Sequence, residues 1–211
     1  MSQRPSFDLE KEAGGNFAVV RIAGVDEVGR GALAGPLVAA AVVFDQNNTV
    51  EMDLWGVTDS KRLTSKQREE LVPKIKSLAS NFAFGIISVE EVDRWGVGAA
   101  NVMAFKRALD GLGEVDLALI DGRRFRGFDR RYLCVEKGES KSLSIAAASV
   151  IAKVYRDELM TELAKEFPEY DFAGNKGYAS ARHIEALKKY GPSPHHRQSF
   201  LGFIIKPEVL L

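Results

Sequence analysis

Residues 144–167 constrain the fold more than any other stretch. Their first half, SIAAASVIAKVY, is apolar almost all round, so a helix there has no face to offer water and must be enclosed by other elements. Candidates to enclose it lie upstream. FAVVRIAGVDE, starting at Phe17, and LVAAAVVF, at 37–44, are apolar β-branched runs joined by the glycine-rich GRGALAG, which reads as two strands and a turn. Thr64-Ser65-Lys66-Gln67 and Ser88-Val89-Glu90-Glu91 both have capping-box spacing, so each starts a helix. The first carries Leu71, Ile75 and Leu78 at helical intervals, with Pro73 a candidate kink, and the second continues to about Leu112. Shorter strand patterns fall at 81–87, 115–120 and 131–135. Strands come early and later alternate with helices, which predicts an α/β chain with a central mixed β-sheet flanked by helices. Residues 1–16, polar and containing Gly14-Gly15, read as a flexible N-terminal arm. One compact unit is expected over 17–172, followed by a small helical C-terminal region over 173–211.

The 211 residues include 29 basic and 29 acidic side chains, so net charge exerts no long-range pull on a polyanion and any nucleic-acid contact must be local. Cys134 is the only cysteine, which excludes an intrachain disulfide and a cysteine-based zinc site. No apolar stretch approaches the roughly 20 residues that span a bilayer, and the N-terminus lacks the apolar centre of a secretory signal. The expectation is a cytoplasmic protein with no membrane partner.

The chemistry-bearing residues sit where strands end. Asp26 and Glu27 follow an apolar strand and precede Val28-Gly29-Arg30-Gly31, and Asp121 ends the ALID strand in the same way. Such acids can simply be solvated or cap turns. If the two strands are neighbours, however, three carboxylates meet at one sheet end and raise one another's pKa unless cations are bound. Oxygen-only ligands suit magnesium or manganese. Glu139, in CVEKGESKSLS between a strand and the buried helix, is a candidate fourth carboxylate. An acid cluster of this kind suits metal-assisted phosphoryl transfer. The three histidines, His183, His195 and His196, lie near the C-terminus with no serine or cysteine nucleophile motif nearby, which argues against a hydrolase triad. The spacing of Gly29, Gly31 and Gly35 matches neither a dinucleotide fingerprint nor a phosphate-binding loop. Glycines flanking Arg30 do permit a ligand to approach the backbone closely.

Taken together, the segments AGVDEVGRGALAGPLVAAAVV, TDSKRLTSKQRE, LIDG, KGESKSLSIAAASVIAKVYRD, NKGYASARH and HHRQSF resemble ribonuclease HII, the type 2 ribonuclease H family, in order and from Ala23 to Phe200. The resemblance implies a ribonuclease H-like fold whose C-terminal helical region completes a substrate groove. It implies metal-binding, catalytic acids at Asp26, Glu27, Asp121 and Glu139, with Mg2+ or Mn2+ in a two-metal mechanism. The family usually has aspartate where Glu139 stands; Asp157 is the fallback, although an ion pair with a nearby arginine is its more ordinary role. Gly29, Arg30 and Gly31 match the motif that reads a 2′-hydroxyl at an RNA to DNA junction. Tyr178 matches the tyrosine that stacks on the following sugar, and Ser60 with Lys61 falls in a loop that binds the nucleic-acid backbone. The implied substrates are RNA·DNA hybrids and duplex DNA containing ribonucleotides, cut on the 5′ side of a ribonucleotide to leave 3′-hydroxyl and 5′-phosphate ends. The implied roles are ribonucleotide removal in DNA repair and RNA primer degradation in replication. Two alternatives stand beside this. A type 3 ribonuclease H acts on hybrids, but generally has lysine at the position of Arg30 and a larger N-terminal domain; a non-catalytic RNA·DNA-binding module would be favoured if the fourth carboxylate were absent. Five arginines between Arg123 and Arg131, and six Lys or Arg against two Glu from Gly174 onward, are candidate basic tracks or solvated surface.

Overall fold

The apolar runs on either side of the glycine turn form an antiparallel pair, β1 (Ile22–Val28) and β2 (Leu37–Phe44). They lie in a computed structural model that describes residues 4–15, 21–45, 49, 51–202 and 204; the expected start of order at Phe17 falls outside the described residues. β3 (Ala79–Ile87) adds antiparallel to β2, while β4 (Leu117–Asp121) and β5 (Tyr132–Val135) add in parallel on the other side of β1. The order is β3-β2-β1-β4-β5, the mixed sheet read from the sequence. The crossover into β4 runs through the helix Val89–Asp110, whereas β4 and β5 are joined by the irregular segment 122–131.

Every residue of β2 is buried, because both faces of the sheet are covered. Ala39, Ala41 and Val43 pack with Ala104, Phe105 and Ala108 of one helix, α3 (Val89–Asp110). Ala40, Val42 and Phe44 face Ala147, Val150 and Ile151 of another, α4 (Leu143–Glu166), and Ile75 of a third, α2 (Ser65–Leu78). The apolar helix is thus enclosed as its sequence requires. Both capping boxes form with reciprocal side-chain and backbone bonds, and α2 continues through Pro73.

The N-terminal segment departs from the flexible arm expected of it. Residues 8–14 form a helix, α1 (Asp8–Gly14), with Phe7 and Glu10 buried ahead of and within it. Phe7 packs edge-on against Phe44, and Glu10 Oε1 accepts from the Ser142 hydroxyl at 2.6 Å and the Ser144 amide at 3.0 Å. Those partners lie more than a hundred residues away, so nothing in the local polarity announces them. The C-terminal elements, α5 (Phe172–Asn175), α6 (Ala181–Tyr190) and α7 (Gln198–Leu201), share a core with Leu33, Ala34 and Met160. That core crosses residue 172 and fastens the C-terminal region to the glycine turn. Among the described residues no helix is long and apolar enough to cross a membrane.

Candidate active site

Because β1 and β4 run parallel with Val25 beside Ile120, the next residues along each strand, Asp26 and Asp121, end up side by side. Asp26 is only 7% exposed. Burial, then Glu27, then Asp121 push its carboxyl well above the usual carboxylate range. Its Oδ1 accepts from the Glu27 amide at 2.8 Å, and Ser149 of α4 hydrogen-bonds it as well. Asp121 Oδ1 accepts from the Gly138 amide at 2.6 Å, which draws the short 3-10 turn Gly138–Ser140 and its Glu139 toward the strand end. Burial first and Asp121 second raise the Glu139 carboxyl. Its Oε2 is buried without a hydrogen-bond partner, an arrangement that is costly for a carboxylate unless a cation joins it. Glu27 faces the glycine turn and pairs with Arg30 at 3.1 Å.

These carboxylates are turned onto their local partners, and among the described residues no three acidic, histidine or cysteine side chains stand together as an enclosed ion site. The donor chemistry nevertheless fits a hard divalent cation. All four groups offer oxygen alone, two have raised pKa values, and one has a buried oxygen to spare. Lys61 responds to the same cluster: burial alone would lower its pKa, but Asp26, Asp59, Glu139 and Asp121 together raise it.

Ser60 stands behind the acid cluster. It is buried, and its hydroxyl is 2.9 Å from that of Ser149, so it supports the Asp26 contact from behind. Asp157 pairs with Lys153 at 2.6 Å and stands 3.9 Å from Arg68, the ordinary ion-pair role weighed for it. Of the five clustered arginines, Arg123 pairs with Glu136 and Arg130 with Asp110, while Arg124 and Arg126 line a surface depression with Phe125, Phe128 and Tyr132.

The glycine turn separates two requirements that the sequence cannot tell apart. Gly29 has φ +90°, and a Cβ there would lie 2.3 Å from Arg156 Nε, so the fold itself demands glycine. At Gly31 a Cβ would meet no atom within 4 Å, φ is not positive, and the residue is exposed. Among the described residues, no neighbouring atom explains that glycine. Tyr178, 36% exposed, lies on a loop whose Gly177 carbonyl accepts from the Leu33 and Ala34 amides at 2.8 and 3.2 Å. The tyrosine loop is therefore sewn to the segment that follows the glycine turn.

Several supporting residues escape a sequence reading. Arg68 Nη1 donates to the carbonyls of Ser60 and Leu63 at 2.8 and 2.6 Å, fixing the Lys61 loop. Arg197, fully buried, donates to the carbonyls of Gly29, Arg30 and Gly35. Their neighbours in sequence are polar, as in KQREE and HHRQS, so no local pattern marks them as buried.

Comparison with known proteins gives this geometry relatives. The ribonuclease HII family profile matches residues 23–202. A ribonuclease HII from Syntrophotalea carbinolica is 49% identical over 183 residues, covering 86% of each chain. Another, from Paramagnetospirillum magneticum, is 47% identical over 197 residues, covering 93% of this chain and 95% of its own. Among solved structures, ribonuclease HII of Archaeoglobus fulgidus, in complex with PCNA, aligns with a TM-score of 0.72 at 26% identity. Ribonuclease H2 of Pyrococcus horikoshii aligns with a TM-score of 0.70, also at 26% identity; in both cases the match covers 85% of this chain and 93% of the other. With a ribonuclease H-like sheet and close relatives along nearly its whole length, the chain belongs to the ribonuclease HII family and is a ribonuclease H enzyme.

Proposed function

We propose that this ribonuclease H cuts the phosphodiester on the 5′ side of a ribonucleotide, both in RNA·DNA hybrids and at single ribonucleotides embedded in duplex DNA. The products are 3′-hydroxyl and 5′-phosphate ends, and the work served is ribonucleotide removal and RNA primer degradation. The observation that carries this reading is the exposed Gly31 in the turn after the acids, where among the described residues no atom lies within 4 Å of an added Cβ. A 2′-hydroxyl both donates and accepts hydrogen bonds, so backbone groups that it can approach closely distinguish it from deoxyribose.

Asp26, Glu27, Asp121 and Glu139 are the residues that would hold Mg2+ or Mn2+. When bound, such ions activate water and neutralise charge building on the phosphate. The chain's own contribution is placement. Strand ends fix Asp26 and Asp121, the Gly138 amide anchors the Glu139 turn to Asp121, and Ser149 orients Asp26. Lys61, kept protonated by the surrounding acids, would meet a phosphate oxygen, and the Tyr178 ring would pack on the neighbouring sugar.

The test is a duplex carrying one ribonucleotide, incubated with Mg2+ or Mn2+ and in parallel with EDTA, with product ends mapped. One cut 5′ to the ribonucleotide, absent in EDTA, is the expected result. Cleavage of continuous hybrids alone would assign the type 3 activity instead, and binding without cleavage of either substrate would leave a recognition module.

A further inference from the structure

We infer that Arg156 and His183 are positioning residues that lock Tyr178 at a set separation from the glycine turn, and so confer preference for an isolated ribonucleotide. This rests on the reading above, in which the turn and Tyr178 meet adjacent sugars.

Arg156 is fully buried at the junction of the two reading elements. Its Nε donates to Pro36 O at 2.9 Å and its Nη2 to Ala34 O at 3.0 Å, both on the segment leaving the glycine turn. Its Nη1 reaches the other way, to Lys176 O at 2.8 Å on the tyrosine loop. The guanidinium carbon also sits 5.4 Å from the Tyr178 ring centre. No carboxylate among the described residues forms an ion pair with it. Apolar packing would fill such a site at lower desolvation cost. What only a guanidinium offers is a rigid planar fork that spans three carbonyls at once, a distance set by covalent geometry.

His183 holds the same loop at a second point. Its Nδ1 is 2.9 Å from Tyr178 O, and its Nε2 is 2.9 Å from Nε2 of His196. The Ser193 amide, which can only donate, lies 2.9 Å from His196 Nδ1. His196 therefore accepts at Nδ1 and carries its proton on Nε2, which donates to His183 Nε2. His183 is left with its proton on Nδ1, donating to the Tyr178 carbonyl. A single tautomer pair satisfies this imidazole chain, with the Ser193 hydroxyl, 2.8 Å from His196 Nδ1, sharing that acceptor with the Ser193 amide.

A lone ribonucleotide offers one register in which the glycine turn meets the 2′-hydroxyl while Tyr178 meets a deoxyribose. A continuous hybrid offers a hydroxyl at every sugar and does not depend on that match. Loosening the span therefore penalises the two substrates unequally, whereas a purely structural role would penalise them alike.

Three single variants and one double variant separate the cases. Arg156→Lys keeps the charge but loses the fork. His183→Gln keeps a polar group toward His196 and loses the donor to Tyr178 O, whereas His183→Asn keeps that donor and gives up the His196 contact. Each is assayed for kcat and KM on a single-ribonucleotide duplex and on a hybrid, at a temperature where thermal melts show full folding. Arg156→Lys and His183→Gln are expected to lower the single-to-hybrid ratio of kcat/KM by about tenfold, the scale of one lost base or sugar stack. His183→Asn is expected to stay nearer wild type, and adding Tyr178→Ala to Arg156→Lys is expected to cost nothing further in the ratio. Nitrogen NMR of the wild-type imidazoles should show Nδ1–H for His183 and Nε2–H for His196. Equal losses on both substrates, or additive losses in the double variant, would overturn the inference; should Arg156→Lys not fold, the His183 pair decides it. A wild-type enzyme inactive on the single-ribonucleotide duplex would instead remove the functional reading beneath it.

Discussion

Adding one methyl group at each end of the glycine turn should give opposite outcomes. At Gly29 the new Cβ would sit 2.3 Å from Arg156 Nε and 2.9 Å from Pro36 O, at φ +90°. Strain of a non-glycine residue in that region costs about 1–3 kcal/mol, and overpacking adds a similar amount. Gly29→Ala is therefore expected to lose roughly 2–6 kcal/mol, a large share of the roughly 5–15 kcal/mol that holds most domains together. At Gly31 the Cβ meets nothing within 4 Å and φ is not positive. Gly31→Ala should be neutral or gain up to about 1 kcal/mol by restricting the unfolded chain. Its cleavage of a single-ribonucleotide duplex should nonetheless fall at least about tenfold, because a methyl group in the path of the sugar need only disturb about 1.4 kcal/mol of hydrogen bonding. Thermal unfolding reports the first quantity, where about 2–4 °C corresponds to 1 kcal/mol for a chain of this size. Initial rates on the duplex report the second. If Gly31→Ala melts like wild type and also cleaves like wild type, the exposed glycine has no part in reading substrate, and the argument from its bareness is wrong.

Asp26→Asn should abolish cleavage while raising the melting temperature measured without divalent metal, since burial and two neighbouring acids disfavour its ionised form in the fold; a melt unchanged or lowered would contradict that electrostatic account. Glu139→Gln should need more metal to reach half-maximal rate and Glu139→Asp should remain active, checked by metal titration of rate and by calorimetric Mn2+ binding. Identical titrations for Gln and wild type would displace Glu139 from the site. Acid should weaken the fold through His196, whose folded pKa is depressed to about 4, by burial first and then by His183. The unfolded chain then binds the proton more tightly, so stability is complete at neutral pH and is lost as pH falls from 6.5 toward about 4. The loss amounts to roughly 3 kcal/mol. Melts of wild type and His196→Gln across that window should converge at the acid end, and parallel curves would refute it.

Local chemistry in the sequence determined a large part of this protein. Capping boxes at Thr64 and Ser88 start α2 and α3 because the reciprocal bonds involve residues only three apart. The all-round apolar run at 144–155 required enclosure, and the β-branched runs provided strands to enclose it. Asp26 and Asp121 were legible as strand-end acids, and the family motifs gave them a shared purpose. Their adjacency depended on the parallel β1–β4 register, a pairing between segments almost a hundred residues apart. The same separation hid the rest. Glu10 bonds Ser142 across 132 positions and Arg197 bonds Gly29 across 168, so a polar N-terminus that reads as a loose arm became a folded brace. Ser60 falls in a loop that the family motifs mark, but its contact with Ser149 exists only once α4 has docked. Two glycines flanking one arginine are equivalent in sequence, whereas the buried Arg156 beneath them gives Gly29 to the fold and leaves Gly31 open to a ligand. Periodicity and capping act within a turn or two and survive in a linear string; buried polar networks exist only after the chain has closed on itself, because each donor must find its acceptor where water has been removed.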